Sequence, residues 1–268
     1  MKICRYLDSD GNMGFAEWRG EDQLPKVITG DFGSFDVTDQ DADVAQLLAP
    51  IDPRAILGIG LNYRAHAEET GKPLPKYPLL FMKAVNAVQN PNQPILLPRT
   101  LVSHKVDYEA ELAVIIGRAA RNVKPEQALD YVLGYTVAND VSARDWQFEW
   151  GEGQFSRGKT FDTFCPLGPC MVTTDEIENP NDLSMRTRVN GELRQETNTG
   201  DMIFDIPTLI SFLSGSTTLV PGTVILTGTP SGVGAAQKPP AFLKEGDRVD
   251  ISIDGIGTLS NPVKEEKK

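Results

Sequence analysis

The stretch Val106-Asp-Tyr-Glu-Ala-Glu-Leu-Ala-Val-Ile-Ile-Gly117 opens as an alternating strand and ends as a continuous apolar run. Side chains alternate across a strand, so Asp107, Glu109 and Glu111 fall on one face and Tyr108, Ala110 and Leu112 on the other. Beyond Glu111 both faces are apolar, the pattern of a strand buried on both sides. Carboxylates feeding into such a strand repel one another: two like charges about 5 Å apart cost roughly 3 kcal/mol even at an effective dielectric near 20. A divalent cation removes that cost. The plainer alternative is an exposed acidic face on a half-solvated strand, which the buried continuation weakens.

Around this stretch lie other short apolar runs broken by Gly and Pro. Ile56–Ile59, Leu79–Met82, Tyr131–Ala138, Arg186–Val189, Val224–Thr227 and Arg248–Ile253 read as strands. Asn190-Gly191, between Met185–Val189 and Glu192–Gln195, is a two-residue hairpin signal, and Asp254-Gly255 is another. Helices are few and short: Asn62–Glu69 with Asn62 as its N-cap, Pro125–Asp130, Ser142–Phe148 and Ile206–Leu213. Residues 1–50 read as a small leading unit, with strands Lys2–Leu7 and Met13–Trp18 and a short helix over Asp39–Leu48. Pro50-Ile-Asp-Pro53 links it to a main body over 51–268. With 19 Pro and 24 Gly supplying turns, the fold class is β-rich α+β. The pattern favours a mixed, mostly antiparallel sheet system rolled on itself over a doubly wound fold.

The balance of 26 Lys and Arg against 37 Asp and Glu gives a net charge of −11. That sign argues against duplex nucleic acid and against an anionic membrane surface as partners. No run approaches the 18 or so apolar residues that span a bilayer. The opening residues lack an apolar signal core, so a cytoplasmic protein is expected. Cys4, Cys165 and Cys170, odd in number and sparse, read as reduced, buried thiols. Two histidines exclude an all-His metal site.

Several constellations carry chemistry. A helix starting near Asp140 places Asp140, Arg144 and Gln147 on one face, an acceptor beside two donors suited to an anionic ligand. Oxygen ligands without Cys or paired His favour Mg²⁺, Mn²⁺ or Ca²⁺ over zinc. His66 and Glu69 stand three apart on a helix, where a carboxylate orients the imidazole and raises its basicity. His104 has no evident partner and is expected at the surface. Gly153-Gln-Phe-Ser-Arg-Gly-Lys-Thr160 matches a phosphate-loop pattern, which needs a buried strand before it and a helix after it. Trp146–Glu152 is not apolar and Phe161–Pro169 holds two prolines, so nucleotide binding is rejected; Lys159 remains a single cation in a turn-rich loop. Thr227-Gly-Thr-Pro-Ser-Gly-Val-Gly234 allows close backbone approach to a ligand, with the Thr229 hydroxyl at hand. A surface ion pair, a structural histidine and a plain turn are the respective alternatives.

Taken in order, Gly60–Glu69, Phe81-Met-Lys83, Val106–Gly117, Asn139–Asp145, Gly158–Pro166 and Leu226–Gly234 resemble the fumarylacetoacetate hydrolase family. The resemblance runs from about Ile56 to Val263. It implies a rolled mixed β-sandwich, a homodimer, and Mg²⁺ in a cleft, with Mn²⁺ or Ca²⁺ as substitutes. It also implies metal ligation by Glu109, Glu111 and Asp140, and a base dyad of His66 and Glu69 on a lid helix. Arg144, Gln147 and Lys159 would orient the substrate and stabilise negative charge, and Thr229 would hold a substrate carboxylate. The leading reaction so implied is hydrolytic C–C cleavage of an acylpyruvate or fumarylacetoacetate-type acid. Isomerisation, keto–enol tautomerisation and decarboxylation of oxaloacetate or 2-hydroxyhepta-2,4-diene-1,7-dioate-type acids are the alternatives. Gly158–Pro166 and Pro239–Gly246 are most similar to the oxaloacetate tautomerase branch. A metal-dependent 2-oxo-acid binding protein without turnover is a separate class, which the His66–Glu69 pair argues against.

Overall fold

In the computed structural model, which describes residues 1–20, 23–31 and 34–267, the Ala110–Ile116 strand is buried along its whole length. It sits between Val132–Asn139 and Thr223–Leu226, antiparallel to both. Outward on one side follow Ala55–Gly60, parallel to Thr223–Leu226, and then Leu79–Lys83 at the edge. On the other side follow Cys165–Thr173, Lys2–Leu7, Met13–Glu17, Lys26–Asp31 and Ser34–Asp41. Strands from residues 2–48 therefore extend the same sheet as the central strand.

A second sheet orders Glu192–Asn198, Ser184–Val189, Arg248–Ile253, Gly257–Glu265 and Ile95–Leu97. Its Arg248–Ile253 and Gly257–Glu265 strands pack on Val132–Asn139 and Cys165–Thr173 of the first. The core between them includes Leu112, Val114, Val137, Cys170, Ile251 and Leu259, all essentially out of water. Each such side chain contributes about 1.5–3 kcal/mol of burial. The architecture is β-rich α+β with few short helices, as expected.

Local expectations fare unevenly. The Asn190-Gly191 hairpin forms, with Asn190 at φ 53° and Gly191 at φ 81°, joining Ser184–Val189 to Glu192–Asn198. The helix expected over Asp39–Leu48 does not. Ser34–Asp41 pairs with Lys26–Asp31, and Gln46–Leu48 pairs with Lys2–Leu7 in the register Arg5↔Leu48 and Leu7↔Gln46. Open ladder groups on neighbouring strands outweigh a marginal local helix tendency. The helix expected from Asn62 begins at Arg64. Asn62 is buried, and its amide donates to the Phe204 and Thr227 carbonyls and accepts from Phe204 N, tying three segments together. Ser142–Phe148 splits into a strand at Ser142–Ala143 and a π-helical turn at Asp145–Glu149. Pro125–Tyr131 is 3-10 helical, and Ile206–Ser214 is α-helical, capped by Asp205.

Candidate active site

Glu109, Glu111 and Asp140 converge where the two central strands end. The register Ala110↔Asn139 and Glu111↔Ala138 brings them level. Asp140 N donates to the Glu109 carbonyl at 2.8 Å, and Glu109 N donates to Asn139 Oδ1 at 3.0 Å. One carboxylate oxygen from each acid lies within 4.8 Å of the others. Their exposures are 6%, 1% and 0%, which rules out the exposed acidic face.

Cations crowd into this cluster. Lys159 Nζ donates to Glu109 Oε2 at 2.7 Å and Asp140 Oδ2 at 2.6 Å. Lys83 Nζ donates to Asp140 Oδ1 at 2.6 Å. Arg144 Nη1 lies 2.6 Å from Glu109 Oε1 and also donates to Gln147 Oε1 at 3.0 Å, while its Nε donates to Asp107 Oδ2 at 2.9 Å. Four buried acids, with Asp107 included, thus meet three buried cations, which leaves one negative charge in excess. The excess falls on Glu111, which among the described residues accepts from Gly228 N alone, at 2.6 Å. Burial, and then the Asp140 and Glu109 carboxylates, push Glu111 well above the ordinary carboxylate range. Glu109 goes the other way: burial alone would raise it, but Lys159 and Arg144 hold it well below its usual value. The same two acids outweigh burial on Lys159 and raise its ammonium. A buried, oxygen-only trio carrying surplus negative charge suits a hard divalent cation.

The Gly-rich loop closes over the trio. Gly228 has φ +102°, and a Cβ there would sit 2.6 Å from Asn62 Cβ, so only glycine presents this N–H to Glu111. Thr229 Oγ1 accepts from Gln195 Nε2 at 3.0 Å, and Gln195 Oε1 accepts from Ala110 N at 3.1 Å. A glutamine from the second sheet therefore fixes the loop against the acidic strand. Asp107 secures the loop's far end, accepting from Gly234 N and Ala235 N. On the Arg64–Glu69 helix, His66 Nδ1 and Glu69 Oε2 are 3.0 Å apart, and Glu69 Oε1 accepts from Gly232 N at 2.9 Å.

His66, Glu109, Glu111, Arg144, Gln147, Lys159 and Thr229 all line one cavity of about 90 Å³, with Phe81 and Phe155 as apolar walls. Asp140 lies behind it through Lys159, and Glu69 behind it through His66. A larger cavity of about 470 Å³, bordered by Arg5, Arg54 and Pro221, shares no residue with it. Every residue proposed from sequence is thus in or directly behind this cavity. Lys83, Asp107 and Gln195 received no role from sequence; only the even spacing of Asp107 from Glu109 hinted at one. The phosphate-loop match resolves against nucleotides: Phe155–Lys159 is one short helix whose lysine is occupied by carboxylates. His104 is exposed, and the three cysteines are buried and unpaired.

The family model described as fumarylacetoacetate (FAA) hydrolase C-terminal matches residues 55–264. A mitochondrial oxaloacetate tautomerase of Xenopus laevis is 52% identical over 218 residues, covering 81% of this chain and 68% of that protein. Its human counterpart of the same description is 46% identical over 217 residues, with the same coverage. Those names give the cytoplasmic expectation no support. Among the described residues, no helix is long and apolar enough to cross a membrane. Among solved structures, a 2-hydroxyhepta-2,4-diene-1,7-dioate isomerase of Mycobacterium marinum superposes with a TM-score of 0.86 at 40% identity, covering the whole of both chains. A fumarylacetoacetate hydrolase of Exiguobacterium antarcticum gives 0.83 at 37% identity, covering 99% of this chain and 100% of that one.

Proposed function

This chain belongs to the fumarylacetoacetate hydrolase family, and we propose that it interconverts the enol and keto forms of a small 2-oxo acid in a site dependent on a divalent metal. The observation that carries this reading is the shared cavity: His66, backed by Glu69, faces the Glu109, Glu111, Lys159 and Thr229 side chains across about 90 Å³. Sequence alone put hydrolytic C–C cleavage first. The relatives named as tautomerases and isomerases now favour the alternative of proton transfer within a 2-oxo acid.

Glu109, Glu111 and Asp140 would hold Mg²⁺, with Mn²⁺ or Ca²⁺ as oxygen-seeking substitutes. When bound, the ion supplies Lewis-acid stabilisation of negative charge on a substrate oxygen. The chain's own groups supply the rest. An enol and its ketone differ in one proton, carried on oxygen or on the adjacent carbon. His66 Nε2 takes or returns that proton, and Glu69 on Nδ1 holds the imidazole in one orientation. Arg144, Gln147 and Lys159 present donors to the oxyanion and carboxylate of the head group. The Thr229 hydroxyl, fixed by Gln195, gives a further contact to the carboxylate. Phe81 and Phe155 exclude water from the reacting carbon.

An ultraviolet assay tests the proposal, run with Mg²⁺ on enol-oxaloacetate and acetylpyruvate in parallel, with EDTA controls. Metal-dependent decay of the enol absorbance without pyruvate release is expected. Pyruvate release from acetylpyruvate would replace tautomerisation with hydrolysis as the main activity.

A further inference from the structure

The helix that carries His66 is six residues long, Arg64–Glu69, too short to hold its shape alone. Its own N-cap residue, Tyr63, makes no side-chain capping bond among the described residues. The cap arrives from 136 positions away: Asp201 Oδ2 accepts from Ala65 N at 3.0 Å. An aspartate there satisfies an N–H that the helix cannot, and sets its charge against the positive end of the helix. The same two segments are fastened on either side of this bond. Arg64 Nη1 donates to the Asp201 and Met202 carbonyls at 3.1 and 2.5 Å. Ile203 N donates to the Asn62 carbonyl at 2.8 Å, and Phe204 N to Asn62 Oδ1 at 2.9 Å.

Asp201 ends a 3-10 turn, Thr199–Asp201, that follows directly on the strand Glu192–Asn198. That strand also carries Gln195, whose Nε2 donates to Thr229 Oγ1 at 3.0 Å and to the Pro230 carbonyl at 3.1 Å. The far end of the helix refers to the same strand. Glu69 accepts from Gly232 N, and Gly232 lies so close on Arg194 that any Cβ would strike its carbonyl oxygen. One strand of the second sheet and the turn after it therefore set where His66 stands relative to Thr229. Neither Gln195 nor Asp201 lines the cavity between them.

We propose that Asp201 is a positioning residue: by capping the His66 helix from another part of the chain, it holds the imidazole at the distance from the substrate head group that proton transfer needs. This rests on the reading of His66 as the group that moves the proton. The Glu109, Glu111 and Asp140 trio, Arg144 and Lys159 stand on other elements, so binding of the head group does not pass through Asp201. Weakening the cap therefore displaces the base and leaves the binding groups in place. A misplacement of about 1 Å costs up to about 10²-fold in rate.

The test is the enol-decay assay with Mg²⁺ on Asp201→Ala, Asp201→Asn and Arg64→Ala, with oxalate affinity measured by calorimetry on each. Asp201→Ala should lower kcat by about 10–10²-fold, with KM and oxalate affinity within about twofold of the parent. Asn caps a helix as well as Asp, so Asp201→Asn should recover kcat to within about threefold. Arg64→Ala, an exposed change that removes the guanidinium bonds to Asp201 and Met202, should move kcat the same way and by less. In a His66→Ala background, Asp201→Ala should cost nothing more, because both act through one imidazole. Unchanged kcat in both Asp201→Ala and Arg64→Ala, a loss that Asn does not repair, a loss shared equally by oxalate affinity, or an additive loss on top of His66→Ala each overturns the positioning role. Full turnover in His66→Ala alone overturns the proton-transfer reading and the positioning role with it.

Discussion

Lys159 Nζ stands 2.6 Å from Asp140 Oδ2, inside the carboxylate trio that a metal would occupy. Ammonium and divalent ion therefore draw on the same acids. Lys159→Met removes the cation shared by Glu109 and Asp140, which keep only Arg144 and Lys83, at a cost of up to about 3–5 kcal/mol for a broken buried pair. The metal-free variant should unfold at lower temperature than the parent, and Mg²⁺ should raise its midpoint by more than it raises the parent's. Equal metal-induced shifts in thermal melts with Mg²⁺ and with EDTA would show that the lysine and the ion do not share ligands.

Among the described residues, Glu111 is the acid of the trio with no cation paired to it. Replacing it by Gln removes the excess charge while keeping an acceptor for Gly228 N. The metal-free Glu111→Gln protein should match or exceed the parent in stability. Its Mn²⁺ affinity, titrated by calorimetry, should drop by at least about tenfold, the lower bound for disturbing a metal shell.

His66→Ala should lower turnover of the enol by about 10²–10⁴-fold, the usual size of general base catalysis. Oxalate binding with Mg²⁺ should hold. Glu69→Gln should also lower turnover, because its single amide oxygen cannot accept from both Gly232 N and His66 Nδ1, and an amide NH2 facing Nδ1 leaves the proton on Nε2. Undiminished turnover in His66→Ala would move the proton transfer to another group.

The thiols give a pH prediction. Burial raises Cys4 to about 11, and Cys165 and Cys170 to about 12, against an ordinary value of 9.0. A raised thiol stabilises the fold fully below pH 9, and that contribution is lost as pH climbs from 9 towards 12, because the unfolded chain gives up its proton first. Native protein at pH 8 should be inert to a disulfide reagent over minutes, and should titrate three thiols once denatured. Rapid reaction of one thiol in the native state would contradict its burial.

Much of the site was legible because its chemistry is written in short spacings. Glu109 and Glu111 alternate on one strand, His66 and Glu69 fall one helical turn apart, and Thr229 sits in a glycine-dense loop. What stayed hidden depends on contacts between distant segments. Lys83 reaches Asp140 across 57 positions, and Gln195 reaches Thr229 across 34 from the other sheet. Nothing local marks either residue. The Asp39–Leu48 error has the same origin: an extended neighbour such as Lys2–Leu7 fixes the conformation, not the segment's own propensity. Asn62 misled differently, since a helix-capping residue type served to bridge Phe204 and Thr227.

The two margins of the large sheet have unequal freedom to change. At one, Met13–Glu17, Lys26–Asp31 and Ser34–Asp41 are laid side by side beyond Lys2–Leu7, each touching mainly its neighbour. Strands can be added, lengthened or shed there without moving a side chain that lines the His66 cavity. At the other, Leu79–Lys83 carries both the Phe81 wall and the Lys83 partner of Asp140. A one-residue slip on that margin would swap their faces and empty the site of both. Length variation is thus tolerated at the Ser34–Asp41 margin and penalised at the Leu79–Lys83 margin.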